Sequence, residues 1–164
     1  MIVKKLFIIR HGKAEEHAFS QADYDRNLIE KGINRSKTIA NQLKEQICID
    51  DNTCFISSSA NRAIQTANLF AEILKFPVDR IIQNKAIYEA YYQDILTVIN
   101  KVPQHIDTVF VFGHNPGLSD LTNYICNSYI TLKTSAVAKI HIEEGLDFTM
   151  LSGGTAYLQK VISE

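Results

Sequence analysis

Long hydrophobic runs are missing from this sequence. Its unbroken apolar stretches are Leu6 to Ile9 and Val109 to Phe112, far below the ~18 residues a membrane helix needs, and Arg10 cuts the first one off before it could serve as a signal-peptide core. A surplus of basic charge is missing too: Lys plus Arg total 17 against 18 for Asp plus Glu, a net charge of −1, so no field exists on which unspecific nucleic-acid binding could rest. Any anion must therefore be met locally. Cysteine is scarce: Cys48, Cys54 and Cys126 are odd in number and show no C-x-x-C spacing, which argues against a disulfide framework and a thiolate zinc site and fits a reducing compartment. Three prolines and seven glycines leave little for linkers, and neither a repeat nor a low-complexity tract interrupts the chain. What is present, 164 residues of which 46% are hydrophobic and 21% charged, is the composition of an ordinary globular chain about one domain long. The expectation is a single domain over residues 1–164, cytoplasmic, without metal, cofactor, membrane or nucleic-acid partner.

The hydrophobic pattern predicts an alternation of strands and helices. Val3 to Ile9 reads as a buried strand that runs into a loop at Arg10-His11-Gly12. Asn27 with Glu30 is a candidate capping box for a helix whose stripe is Ile33, Ile39, Ala40, Leu43 and Ile47, although Gly32 weakens its first turn. Cys54 to Ser57 is a second strand, followed by a helix with Ala63, Ile64, Ala67, Phe70, Ala71 and Leu74 at helical spacing and Pro77 at its end. Val78 to Ile82 reads as a weaker strand, Gln93 to Asn100 as a helix, and Thr108 to Phe112 as a strongly β-branched and aromatic strand. Asn115 then caps a helix whose first residue is Pro116. Ala136 to Ile142 and Thr155 to Val161 form a terminal strand pair around a turn region at residues 143–154. The order implies an α/β chain of three layers, α/β/α, around a mainly parallel sheet with an antiparallel edge.

Parallel strands end on one side, and ligands of open α/β sheets bind outside those carboxyl ends. Arg10 and His11 follow the first strand, His114 follows the strand ending at Phe112, and Arg62 sits in the first turn of the helix after Ser57. All four should meet at one crevice. A cation near a helix N-terminus opposes the macrodipole at roughly 0.3–1 kcal/mol, so Arg62 is placed against stability unless an anion lies beside it. Two guanidiniums and unpaired helix N–H groups suit a phosphoryl group, and two imidazoles add a nucleophile and a proton carrier. Taken singly, each residue also fits an ordinary strand end or helix start; it is the joint placement that points to a site. No P-loop, dinucleotide-binding glycine pattern or G-x-S-x-G is present, and no cysteine has an arginine six positions on. His17, His105 and His141 form no metal-ligand spacing and read as solvated or satisfied.

Arg10-His11-Gly12, Asp23-x-x-Arg26-x-Leu28 before Gly32, Ser57-Ser58 with Arg62-Ala63-x-Gln65-Thr66-Ala67, and His114-Asn115-Pro116-Gly117 together resemble the histidine phosphatase superfamily. Among its members the chain looks most similar to the short phosphohistidine phosphatases of the SixA type. The matches run in order across nearly the whole chain. The resemblance implies a phosphoglycerate mutase-like fold and a phosphatase that passes the phosphoryl group to His11, with Arg10, Arg62, His114 and Asn115 around the phosphoryl oxygens. It implies as substrate a phosphorylated protein, phosphohistidine first, or a small phosphorylated molecule. Glu89 occupies a place similar to that of the acidic residue many members use as general acid; an exposed glutamate at a helix start is the other reading. Arg26 suits either the pocket rim or an ion pair with Asp23 or Asp25, and Tyr88, Tyr91 and Tyr92 either wall the entrance or pack beside a helix. Ala60 replaces the family's usual proline and Ile29 its usual Thr or Ser. Other readings are a phosphate-binding module without turnover and a mutase-like transferase.

Overall fold

The computed structural model describes residues 2–164. Six strands form one sheet: β1 (Lys5–Arg10), β2 (Thr53–Ser57), β3 (Ile82–Gln83), β4 (Thr108–Gly113), β5 (Val137–Ile142) and β6 (Ala156–Ile162), in the order β3-β2-β4-β1-β5-β6. The first four strands are mutually parallel, while β5 runs antiparallel to β1 and β6 antiparallel to β5. Helices α1 (Glu30–Lys44) and α2 (Asn61–Leu74) cover one face, and α3 (Tyr92–Ile99) and α4 (Gly117–Cys126) the other. The three-layer α/β/α arrangement with an antiparallel edge expected from the sequence is the one found.

Alternation along the strands makes the two faces chemically different. On β4, Val109 and Val111 point to the α3/α4 side and Phe110 and Phe112 to the α1/α2 side. The α1/α2 side carries an aromatic ladder across three strands: Phe76 stacks on Phe55 at 4.2 Å, Phe55 on Phe110 at 4.5 Å, and Phe110 on Phe7 at 4.5 Å between centroids. Large rings from the sheet need small residues above them, and α2 supplies buried Ala63, Ala67 and Ala71. The opposite face is filled by Leu6, Ile8, Ile95, Ile99, Leu118, Leu121 and Ile125.

Chain direction creates the crevice. Neighbouring strands β1 and β4 are in register, Arg10 opposite Gly113, yet β1 leads to α1 on one face and β4 to α4 on the other. Their outgoing segments part at the carboxyl edge, the topological switch point where such sheets bind ligands.

Four local expectations are corrected. Asn27 does not cap α1: the cap position is Ile29, and the Asn27 side-chain oxygen accepts from Asn61 Nδ2 at 3.1 Å and Gln65 Nε2 at 2.8 Å, joining the preceding loop to α2. Val78 to Ile82 is not a strand but a 3-10 turn, Val78–Arg80, closed by Arg80 N–H donating to Pro77 O; only Ile82–Gln83 pairs with the sheet. Pro116, expected as the first helical residue, is the cap residue of α4; Asn115 stands one position earlier and still accepts from Ser119 N at 3.2 Å. His141, taken as solvated or satisfied, has a buried Nε2 without a partner.

Gly32 is required by the site loop. Ile29 N–H donates to Lys13 O at 3.0 Å, and a Cβ at Gly32 would overlap that same oxygen and lie 2.7 Å from Lys13 N. The glycine that weakens the helix on propensity is what lets the segment after His11 cross α1. Gly32→Ala should lower stability by about 1–3 kcal/mol, read as a drop in the urea midpoint at unchanged m-value; an unshifted midpoint would contradict this packing.

Candidate active site

Register brings the histidines together. His11 and His114 are the residues after the paired Arg10 and Gly113, and His11 N–H donates to Gly113 O at 3.0 Å. Their ring centroids are 5.2 Å apart, with His11 8% and His114 7% exposed. Strand β2 delivers Ser58, whose N–H donates to Phe112 O, and the first turn of α2 delivers Arg62, 5% exposed. The four residues expected to converge, Arg10, His11, Arg62 and His114, do so.

Hydrogen bonds assign the tautomers. His11 Nδ1 lies 2.7 Å from Gly12 O; a carbonyl only accepts, so Nδ1 carries the proton and Nε2 presents its lone pair. Gly12 N–H in turn donates to Thr66 Oγ1 at 2.9 Å. His114 Nε2 lies 2.8 Å from Ser58 Oγ, which accepts from Ala60 N–H. The Ser58 hydroxyl is free to donate to Nε2, and in that tautomer the His114 proton sits on Nδ1. Burial, then the neighbouring arginines, push His11 down to about 4, against the bond to Gly12 O that favours its charged form. Burial, followed by His11 and Arg62, pushes His114 down to about 3. Both rings are neutral at pH 7.

The arginines are held at their tips. Arg62 donates from Nη1 to the Asp23 carbonyl at 2.7 Å and from Nη2 to Asp23 Oδ2 at 3.0 Å. Arg26 Nη1 donates to Asp23 Oδ1 at 2.7 Å and Tyr88 Oη to Asp23 Oδ2 at 2.6 Å. Burial alone would raise the Asp23 carboxyl, but the Tyr88, Arg26 and Arg62 bonds outweigh it and hold it well below the usual carboxylate range. Burial and the bond to Asp23 push the Tyr88 phenol up to about 12. Arg10 Nη1 donates to Leu132 O at 3.1 Å. With the tips engaged, Arg10 Nε and Arg62 Nε are buried without a partner, as is His114 Nδ1. Orphaned buried donors are rare in folded chains. Three such groups on residues gathered at one strand edge, beside a free imidazole lone pair, are of the chemistry that suits an oxyanion.

Two expected residues are not part of that buried group. Asn115, expected to bind phosphate, has its amide engaged elsewhere: Nδ2 donates to Leu132 O at 2.8 Å and Oδ1 accepts from the Ser119 hydroxyl at 2.8 Å. It ties α4 to the loop that also holds Arg10. Glu89 is exposed, with φ at 51°, next to Tyr88 in the chain. Arg26 makes the ion pair with Asp23. Sequence reasoning missed the central role of Asp23, although an acid three residues before Arg26, in a chain segment crowded with expected cations, was the available signal. Among the described residues no cluster of side chains suits a metal ion, and no helix is long and apolar enough to cross a membrane.

A mainly parallel three-layer sheet with paired histidines and arginines at its switch point defines a class, and comparison with known proteins gives the family. Residues 6–96 match the model of the histidine phosphatase superfamily (branch 1), and the chain belongs to that superfamily. Solved structures share the fold. The histidine phosphatase SixA complexed with tungstate superposes with a TM-score of 0.79 at 24% identity, over 97% of this chain and 96% of that one. A protein assigned as SixA from Agrobacterium tumefaciens gives 0.78 at 20% identity over 98% of each chain. A phosphoglycerate mutase from Bacillus anthracis str. Sterne gives 0.63 at 16% identity, over 94% and 92%. No curated protein sequence matches.

Neutral buried histidines make stability depend on pH. Between the ordinary value of 6.5 and about 4, the unfolded chain takes up protons that the folded imidazoles refuse, so stability is full above this window and is lost as pH falls through it. The contribution of Asp23 is lost only lower, below the ordinary carboxylate range near 4. The urea midpoint should therefore fall from pH 7.5 to pH 4.5, and fall less in His114→Gln; parallel curves for the two proteins would refute the assignment.

Proposed function

We propose that this chain is a phosphatase that hydrolyses protein phosphohistidine through a covalent phosphohistidine on His11. The observation that carries the reading is that three partnerless groups, Arg10 Nε, Arg62 Nε and His114 Nδ1, belong to the residues gathered with a His11 ring whose Nδ1 proton is fixed on Gly12 O. His11 Nε2 attacks phosphorus while the donors take up charge on the phosphoryl oxygens, and the bond to the leaving group breaks. Water then attacks the phosphorus, releasing inorganic phosphate and returning the electron pair to His11 Nε2.

The proton inventory favours a nitrogen leaving group. An alkoxide needs a proton as it departs, but Asp23 is ionised, Tyr88 holds its proton up to about 12, and both imidazoles are neutral. The imidazole of a phosphohistidine can take its proton from solvent on the far ring nitrogen near neutral pH, and in that form it leaves neutral without a further acid. Glu89, exposed beside Tyr88, is a carboxyl group that would assist oxygen esters from the solvent side. The histidine phosphatase SixA of similar fold, whose structure holds tungstate, an oxyanion of phosphate shape, supports the same reading.

The purified chain should hydrolyse a phosphohistidine peptide at least tenfold more efficiently, in kcat/KM, than phosphoserine or phosphotyrosine peptides of the same sequence. Brief mixing with labelled substrate should trap acid-labile, alkali-stable phosphate on His11. His11→Ala should abolish both turnover and label while leaving the urea midpoint at pH 7.5 near or above that of the parent. Label without turnover would mark a binding module, and turnover surviving in His11→Ala would remove His11 from the mechanism.

A further inference from the structure

Outward of Asp23 and Tyr88 the walls of the pocket become aromatic. Tyr88 meets His114 edge-on at 5.5 Å, Tyr24 meets Tyr88 edge-on at 5.0 Å, and Lys85 Nζ lies 5.8 Å from the Tyr24 centroid. The same two loops carry two aromatic rings that pack against little: Tyr91, 76% exposed, and Phe19, fully exposed. The loop behind Phe19 is pinned. Ala18 and Gln21 form an antiparallel bridge closed by Gln21 N–H donating to Ala18 O at 3.3 Å. Gln21 Nε2 donates to Asp25 O at 3.3 Å, His17 Nδ1 lies 3.5 Å from Asp23 Oδ1, and Arg26 Nε donates to Glu15 O at 2.6 Å. Phe19 is thus a large ring held out in water by the network that positions Arg62. A pre-ordered exposed aromatic is the kind of residue that dominates binding energy at interfaces.

Its place selects the occupant. Arg62, Asp23 and His17 form successive steps outward from the phosphoryl site, and Phe19 is two residues, up to ~7 Å of chain, beyond His17. A small phosphorylated molecule seated on the donors would not reach it, whereas the residues flanking a phosphorylated side chain on a peptide must pass over this rim. Building on the phosphohistidine reading, we infer that Phe19 and Tyr91, exposed on the two loops that carry Tyr24 and Tyr88, form a docking rim for apolar side chains next to the phosphohistidine of a peptide or protein substrate. The pocket grips the phosphoryl group and the rim selects what carries it.

Three substrates test this: N-phosphorylimidazole and two phosphohistidine peptides that differ only in having leucine or serine on both sides of the phosphorylated residue. The parent chain should favour the leucine-flanked peptide about tenfold in kcat/KM, through KM. Phe19→Ser with Tyr91→Ser should erase that preference and leave N-phosphorylimidazole within twofold. Equal turnover of the two peptides by the parent would overturn the rim. So would an equal loss on all three substrates, or sedimentation showing that Phe19 joins two copies of the chain. Turnover of none of the three would instead overturn the phosphohistidine reading itself, and the rim with it.

Discussion

Everything at the crevice depends on the parallel pairing of β1 with β4, which sets Arg10 opposite Gly113. Side chains alternate along a strand, so a slip of one residue would turn Phe7 and Ile9 toward the α3/α4 side and Leu6 and Ile8 toward the aromatic side. The ladder of Phe7, Phe110, Phe55 and Phe76 prevents it, because its stacking contacts exist in one register only. A hydrophobic core thereby fixes the spacing of two histidines 103 positions apart, a number that follows from 114 minus 11. The same register places Gly113 where a side chain would press on Ile87, 2.9 Å from the would-be Cβ, and so keeps the segment carrying Tyr88 close to His114.

Asp23 resolves the charge conflict that this convergence creates. Arg62 is buried in the first turn of α2, where the macrodipole disfavours a cation, and a buried guanidinium needs a partner. Asp23 supplies both its carbonyl and its carboxylate, while also accepting from Arg26 and Tyr88. The guanidinium of Arg62 is therefore oriented before any ligand arrives, which is the condition for electrostatic stabilisation without reorganisation. Leu132 and Asn115 serve Arg10 in a similar way: the Leu132 carbonyl accepts from both.

The layers and the four converging residues were legible because their signals are local and periodic: apolar strands ending in Arg-His or Gly-His, and helices with alanine at regular spacing. The misreading at Asn27 has a physical cause. Asn27 carries the residue type of a helix cap, yet its amide bonds to a segment far along the chain, Asn61 and Gln65, just as the Asn115 amide reaches Leu132. Propensity assigns a polar side chain to its nearest backbone, and it cannot anticipate which loop will fold over it. Asp23 was hidden for the same reason, since its partner Arg62 lies 39 positions away. Gly32 shows the converse, a residue unfavourable for its own helix and required by Lys13.

The two neutral imidazoles carry a thermodynamic consequence for ligand capture. Burial and surrounding cations, not lack of acceptors alone, keep His114 deprotonated, and a dianion arriving beside it reverses the local potential. Its basicity then rises, and whatever proton the ring gains on association comes from the medium. Any such gain would show in the heat of complex formation as a dependence on the ionisation enthalpy of the buffer, a calorimetric readout of a site whose rings rest uncharged.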